Sequence, residues 1–273
     1  MLKDVTFGQY IYGQSAVHKL DPRLKIVFTI MFIVMLFSSK TLWGFAVIAA
    51  LAIVLYMIAG IPLRMVLKSI KPILPIVLFT GILNLFFYVG GDQEPLVDFW
   101  IIRIYPDGIM FTITLALRIS ILVAGTSILT YTTSPIELTD AIERLLRPFK
   151  YLKLPVHELA MIMTIALRFI PLLIDETIKI MNAQKSRGAD LESGGLFQRV
   201  KALVPILVPL FVSSFRRADE LALAMECRCY RGGEGRTRMK QLRLKISDLF
   251  SSLIFLVFFA SVFVMNIYFK NVI

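Results

Sequence analysis

The chain has 273 residues, 57% of them hydrophobic and 18% charged, with a formal net charge of +11. Such a high apolar content excludes an ordinary soluble domain and is typical of a protein that crosses the membrane several times. The basic excess flanks apolar segments, so membrane topology explains it better than nucleic-acid binding does, and we expect no nucleic-acid partner.

Five apolar segments have roughly the length of a membrane span. The first follows Asp21 and Pro22, a helix start in which Asp21 is the N-cap and Pro22 occupies the first turn. The last follows a cluster of basic residues. Together they predict an all-α polytopic membrane protein with about five spans, at 24–39, 41–60, 72–89, 108–131 and 249–269.

The charges of the connecting segments orient these spans. Lysine and arginine dominate residues 1–25 and 61–71, whereas residues 90–107 are mostly acidic. Because short basic loops stay in the cytoplasm, the N-terminus and segment 132–245 are predicted on the cytoplasmic side, and the C-terminus outside. The predicted domains are a membrane part of four spans, a cytoplasmic-side domain and a last span, at 1–131, 132–245 and 246–273.

Three helices are predicted in the cytoplasmic-side domain. A capping box at Ser134 and Glu137 starts a short amphipathic helix near 136–147, and two long helices cover about 157–187 and 198–231. The long helices begin as apolar as a span, but each contains proline and continues directly into charged sequence. This pattern favours helices that lie in or under the inner leaflet, with two additional spans as the alternative.

The second long helix carries an apolar stripe. Its small and apolar residues recur at steps of three and four, which places them on one helical face. Two such helices expose more apolar surface than they can bury on each other, so we expect this face to dock a partner or lipid. The residues that we expect to form the docking face are Leu207, Leu210, Phe211, Leu221 and Met225.

Each long helix ends in an arginine between two small residues, Ser186-Arg187-Gly188 in the first and Cys227-Arg228-Cys229 in the second. Ordinary capping accounts for one such end, because Gly188 suits a left-handed cap and the arginine complements the helix dipole. The same design on two similar helices favours a functional role. Small neighbours let the helix end enter a groove, where the guanidinium forms two parallel hydrogen bonds with a carboxylate of another subunit.

These segments resemble the transmembrane T subunit of energy-coupling factor transporters, the ABC-type importers of vitamins and metal ions in prokaryotes. In that family both coupling helices end in Ala-Arg-Gly. Here the first end differs only by serine, and the second keeps the arginine but has cysteine on both sides, which leaves its cap geometry open. The resemblance covers nearly the whole chain and rests on DPRLK at 21–25, TTSPIEL at 132–138, ALRFIP at 166–171, QKSRGAD at 184–190 and RRADELALAMECRCYRGG at 216–233.

The resemblance implies a non-catalytic subunit of a plasma-membrane transporter, with no cofactor of its own. Two ABC ATPase subunits would each hold one arginine-tipped helix end in a surface groove. The apolar faces of the coupling helices would cradle a separate substrate-binding membrane subunit, the S component, for vitamin uptake. ATP would be hydrolysed by the partners, because the glycine-rich run 232–235 lacks the lysine and hydroxyl residue that complete a phosphate-binding loop.

Two alternatives are an intramembrane enzyme and a self-sufficient secondary carrier. The enzyme needs clustered polar or metal-binding groups within spans, and Arg118 alone does not supply them. The carrier needs inverted repeats and charged residues near the midplane of several spans. Asp175 and Glu176 are adjacent and point in different directions on a helix, so they do not form a catalytic pair. His157 and Glu158 lack the second histidine that completes the motif of a zinc-protease helix. We therefore predict no catalytic residue and no metal ligand.

Overall fold

The structure is a computed structural model, and it describes residues 10–87, 97–99, 102–148, 155–189, 195–232 and 245–268. These ranges form ten α-helices and one short antiparallel hairpin, which confirms the predicted all-α membrane class. The elements are α1 Ala16–Lys19, α2 Pro22–Ser38, α3 Leu42–Ala59, α4 Leu63–Ile70, α5 Leu74–Phe87, β1 Val97–Phe99, β2 Ile102–Ile104, α6 Pro106–Thr132, α7 Pro135–Leu146, α8 Val156–Ser186, α9 Leu196–Cys227 and α10 Ile246–Tyr268.

Several described helices are long and apolar enough to cross a membrane. They are α3, α6, α8 and α10, and the bent pair of α4 and α5 adds a fifth if it counts as one span. Helix α2, predicted as the first span, has 17 residues and is therefore only about 25 Å long. Helix α8 meets the length and composition of a span. Its placement at the inner leaflet therefore stays a prediction, with a membrane-crossing position as the alternative.

The two predicted helix starts are confirmed. The Asp21 side chain accepts a hydrogen bond from the Arg23 amide at the start of α2, and Ser134 Oγ accepts one from the Glu137 amide at the start of α7. Both caps are local interactions between residues two or three apart, and this is why the sequence predicts them well.

The prediction of a loop at 61–71 is wrong. Residues 63–70 form helix α4, and α5 follows it at a bend of 52°. Pro72 lies at that bend and has no amide hydrogen to continue the helical ladder. The predicted loop 90–107 contains hairpin β1–β2, in which Val97 pairs with Ile104. Both elements are short and carry charges, so their patterns resemble those of loops.

Contacts divide the chain into two compact units, one of Gly8–Ala141 with Gln241–Ile273 and one of Met1–Phe7 with Ile142–Lys240. The functional domain boundaries near residues 131 and 245 stay predictions. The first unit has an apolar core in which α2, α3 and α10 meet, and the Phe28 and Phe255 rings stack at 4.7 Å. A Cβ at Gly125 of α6 would overlap the Phe32 ring, so the absence of a side chain there permits close packing. The buried core residues are Phe32, Met35, Leu36, Phe45, Ile48, Leu51, Ala52, Phe255 and Val262.

Arg118 of α6 lies within the first unit and binds the end of α2. Its Nη2 donates to the Ser39 carbonyl oxygen at 3.2 Å, and its guanidinium lies over the rings of Phe37 and Phe45 at 5.9 and 5.3 Å. A helix C-terminus presents carbonyl groups that lack helical donors. Arg118 therefore has structural partners within the first unit, namely the end of α2 and two aromatic rings.

Candidate functional site

Helices α8 and α9 form an antiparallel pair in the second unit. Gln184 near the end of α8 donates through Nε2 to the Pro205 carbonyl oxygen near the start of α9, at 3.3 Å. Further along, Arg217 Nη2 lies 3.2 Å from Glu176 Oε2. The order of these contacts runs in opposite directions along the two helices. Glu176 thereby joins the two helices.

The prolines of α9 account for the contact at Gln184. Pro209 has no amide hydrogen, so the carbonyl group of Pro205, four residues earlier, loses its usual helical donor. The Gln184 side-chain amide takes the place of that donor. The sequence predicts this unpaired carbonyl group, because a proline within a helix removes the donor for the carbonyl four residues earlier. It does not predict which distant side chain donates to that carbonyl instead.

The end of α8 is a complete Schellman cap around Arg187. Gly188 has a φ of 85°, in the left-handed region. Its amide donates to the Lys185 carbonyl oxygen at 3.0 Å, and the Ala189 amide donates to the Gln184 carbonyl oxygen at 3.0 Å. These are the two backbone bonds that define the motif. Ser186, Arg187 and Gly188 are all exposed, so the arginine stands free at the helix end.

The end of α9 repeats this geometry without glycine. The Cys229 amide donates to the Glu226 carbonyl oxygen at 2.8 Å, and the Tyr230 amide to the Met225 carbonyl oxygen at 3.0 Å. Cys229 itself takes the left-handed conformation, with a φ of 54°. The geometry that the Cys-Arg-Cys sequence left open is therefore the same Schellman cap. It ends the helix at Cys227, earlier than the predicted 231, because a left-handed residue stops the helical ladder.

The two arginines lie at opposite ends of the helix pair. Gln184, next to Arg187, contacts α9 at Pro205, and 23 residues separate Pro205 from Arg228. At 1.5 Å per residue, the two arginine tips are on the order of 35 Å apart. Cys227, Arg228 and Cys229 are exposed, as are the corresponding residues of α8. A single small ligand is too short to contact both arginines, whereas two separate protein surfaces can each contact one of them.

The predicted docking residues separate into two groups. Leu221 and Met225 line a cavity of about 310 Å³ between α8 and α9, opposite Ile165, Phe169 and Leu173. Leu207 and Phe211 are 45% and 61% exposed, and Leu210 is half-buried. The structure therefore does not gather all five residues into one surface. Leu221 and Met225 face the cavity within the helix pair, and the exposed Leu207 and Phe211 remain available to a partner.

Helices α7 and α8 are joined by a further polar contact, in which His157 Nδ1 lies 3.1 Å from Glu143 Oε1. The two side chains lie near the start of α8 and on α7. Neither residue belongs to a group of three potential metal ligands within the part of the chain that the structure describes. His157 therefore has a structural contact that its sequence neighbours do not indicate.

Restoring glycine at the second helix end is expected to stabilise it. A side chain in the left-handed conformation costs about 1–2 kcal/mol, so Cys229→Gly should raise stability by about 1 kcal/mol, while β-branched Cys229→Val should fray the last turn. Amide hydrogen exchange of residues 225–230 in the detergent-solubilised chain measures the effect. Cys227→Ala is the control, because Cys227 is the last residue with helical geometry. Faster exchange in Cys229→Gly than in the parent chain would contradict the strain at this cap.

The chain is similar to known transport proteins over nearly its whole length. Residues 13–241 match the family model of CbiQ, described as a cobalt transport protein. The Clostridium kluyveri energy-coupling factor transporter transmembrane protein EcfT is 54% identical over 257 residues, which are 94% of this chain and 95% of the relative. The proteins of the same name from Ruminiclostridium cellulolyticum and Bacillus subtilis are 50% and 46% identical, and the alignments cover 97% and 89% of this chain and 98% and 91% of the relatives.

Proposed function

The chain belongs to the CbiQ cobalt transport protein family as a transporter membrane subunit of the EcfT kind, and we propose that it couples two ATPase subunits to a substrate-binding membrane partner. The ATPases bind and hydrolyse ATP, and this chain transmits their motion without catalysing a reaction. The partner, an S component, carries the micronutrient, which we propose to be a vitamin. This subunit therefore has no catalytic residue of its own.

The observation that carries the proposal is the pair of exposed arginine ends. Arg187 and Arg228 occupy the same position in two Schellman caps, at opposite ends of an antiparallel helix pair. Two copies of an ATPase present the same groove twice, and a pair of matching helix ends about 35 Å apart suits such a repeated surface. A displacement of either ATPase would then move one end of a stiff helix.

The exposed part of α9 supports a second contact. Between Phe197 and Phe215 this helix exposes a series of large apolar side chains, which favours a hydrophobic environment or partner over water. We propose that the S component docks there, on the face that includes Leu207 and Phe211. The exposed large apolar residues of this half of α9 are Phe197, Val200, Leu203, Val204, Leu207, Val208, Phe211, Val212 and Phe215.

Affinity purification from the native membrane tests the proposed assembly. A tagged full-length chain is expected to bring down two ATPase polypeptides, or two copies of one, together with a small polytopic membrane protein that binds a vitamin. Identification of the bound proteins by mass spectrometry and assay of vitamin binding are the measurements. Recovery of the chain without any ATPase, from cells that express it at its natural level, would contradict the proposal.

We propose that the chain lies in the plasma membrane of a prokaryote with its N-terminus and segment 132–245 in the cytoplasm. In a chain without Cys227 and Cys229, Gln93→Cys is expected to react with an impermeant thiol reagent from outside, and Gly195→Cys only after permeabilisation. Western blotting of the labelled chain measures the reaction. Labelling of position 195 in intact cells would place the α8–α9 connection outside and overturn this orientation.

A further inference from the structure

Helix α4 has three distinct faces, and two of them are open. At about 100° per residue, Met65, Val66, Ser69 and Ile70 share one side and are all partly buried. Leu63 and Leu67 occupy the neighbouring direction and are 69% and 66% exposed. The third face carries the exposed cations Arg64, Lys68 and Lys71.

Contacts to α6 fix which side of α4 faces the protein. The hydroxyl groups of Ser69 and Tyr131 are hydrogen-bonded to each other, and Tyr131 also donates to the Met65 carbonyl oxygen at 3.3 Å. Met65 and Val66 pack against a buried cluster that includes Tyr56 and Ile128. The helix therefore cannot rotate to hide its leucines without losing these contacts.

The exposed half of α4 has the pattern of a helix at a membrane interface. Apolar and basic side chains lie side by side on it, as they do where one edge of a helix touches hydrocarbon and the next edge touches headgroups. The sequence from Ile61 to Pro72 contains no acidic residue. The bend of 52° between α4 and α5 further allows α4 to lie along the surface while α5 enters the bilayer.

We propose that the basic face of α4, formed by Arg64, Lys68 and Lys71, binds the phosphate groups of anionic phospholipids while Leu63 and Leu67 enter the hydrocarbon. The three cations lie within about two turns, so one or two headgroups can contact all of them. Arginine and lysine stems also allow the charged groups to reach the phosphate plane while their methylene groups stay near the acyl chains. The lipid contact holds the α4–α5 bend at the depth of the headgroups.

Native mass spectrometry of the full-length chain, released from nanodiscs of phosphatidylcholine and phosphatidylglycerol, tests the proposal. The parent chain is expected to retain phosphatidylglycerol in preference to phosphatidylcholine. The triple variant Arg64→Gln/Lys68→Gln/Lys71→Gln should lose this preference. In a titration with phosphatidylglycerol, each removed cation is expected to lower the apparent affinity about fivefold, and high salt should reduce the difference.

Two control variants test whether lipid retention depends on the basic face of α4 or only on the positive charge of the chain. Arg64→Lys/Lys68→Arg/Lys71→Arg keeps every charge and should keep the preference. Lys40→Gln removes an exposed cation from the turn between α2 and α3 and should change nothing. Equal phosphatidylglycerol retention by the parent and the triple glutamine variant overturns the proposal, as does an equal loss in Lys40→Gln. If retention is unchanged but a protein partner is lost from the glutamine variant, the face binds protein instead of lipid.

Discussion

The double variant Arg187→Ala/Arg228→Ala is expected to abolish micronutrient uptake and most co-purification of ATPase subunits, while the chain still enters the membrane. Removal of a paired and partly buried interface arginine costs about 2–5 kcal/mol, because its partner carboxylate is left without a counter-charge. Each single variant should therefore weaken ATPase association by about 30-fold or more. Uptake of radiolabelled vitamin and recovery of the ATPases measure the two effects.

The cap geometry makes this experiment specific for binding. The Schellman bonds come from the backbone amides of residues 188, 189, 229 and 230, so a change of side chain at Arg187 or Arg228 leaves them intact. Thermal unfolding of the isolated chain should accordingly change little. Arg216→Ala, at another exposed position of α9, is the matched control and should preserve assembly.

Lysine variants at the two helix ends distinguish bidentate hydrogen bonding from electrostatic attraction alone. Lysine keeps the positive charge but cannot form two parallel hydrogen bonds with one carboxylate. The variants Arg187→Lys and Arg228→Lys should therefore recover only a small part of the lost ATPase binding. Full recovery would reduce the role of the tips to general electrostatic attraction, and normal uptake by the double alanine variant would remove them from the coupling mechanism.

The sequence predicts elements whose signals are local. The start of α2 follows from Asp21 and Pro22, and the bounds of α8, predicted near 157–187, differ by one residue from Val156–Ser186. Helix α4 escapes prediction because eight residues with two internal cations resemble a basic loop more than a helix. Its identity depends on contacts with Tyr131, which lies far away in the sequence.

The candidate site is predictable in position but not in geometry. Small residues around an arginine at two helix ends are visible in the sequence, and they mark both tips. Sequence rules favour glycine in the left-handed position, so Cys229 gives no sign that it occupies this conformation. The contact of Gln184 with Pro205 and the separate placements of Phe211 and Met225 depend on how α8 and α9 pack, which periodicity along one helix does not determine.

Aspartates on the exposed part of the α9 stripe should disrupt assembly with the S component without separating α8 from α9. Leu207 and Phe211 are exposed in the isolated chain, so Leu207→Asp/Phe211→Asp changes no contact in the α8–α9 cavity. Burial of each parent side chain against a partner contributes about 1.5–3 kcal/mol. Their loss should weaken S-component binding by at least about 100-fold, measured by recovery of the partner with the tagged chain.

A second pair of variants separates docking from internal packing. Leu221→Asp/Met225→Asp places two carboxylates in the cavity opposite Phe169. The basic side chain in its lining, Arg217, already pairs with Glu176, so the added charges are unfavourable there. This variant should lower the unfolding temperature of the chain as well as partner binding, whereas Leu207→Asp/Phe211→Asp should affect binding alone. Leu223→Asp, at an exposed leucine about 160° around the helix from Leu207, should keep the partner. Equal recovery of the S component with Leu207→Asp/Phe211→Asp and with the parent chain would assign the exposed stripe to lipid contact.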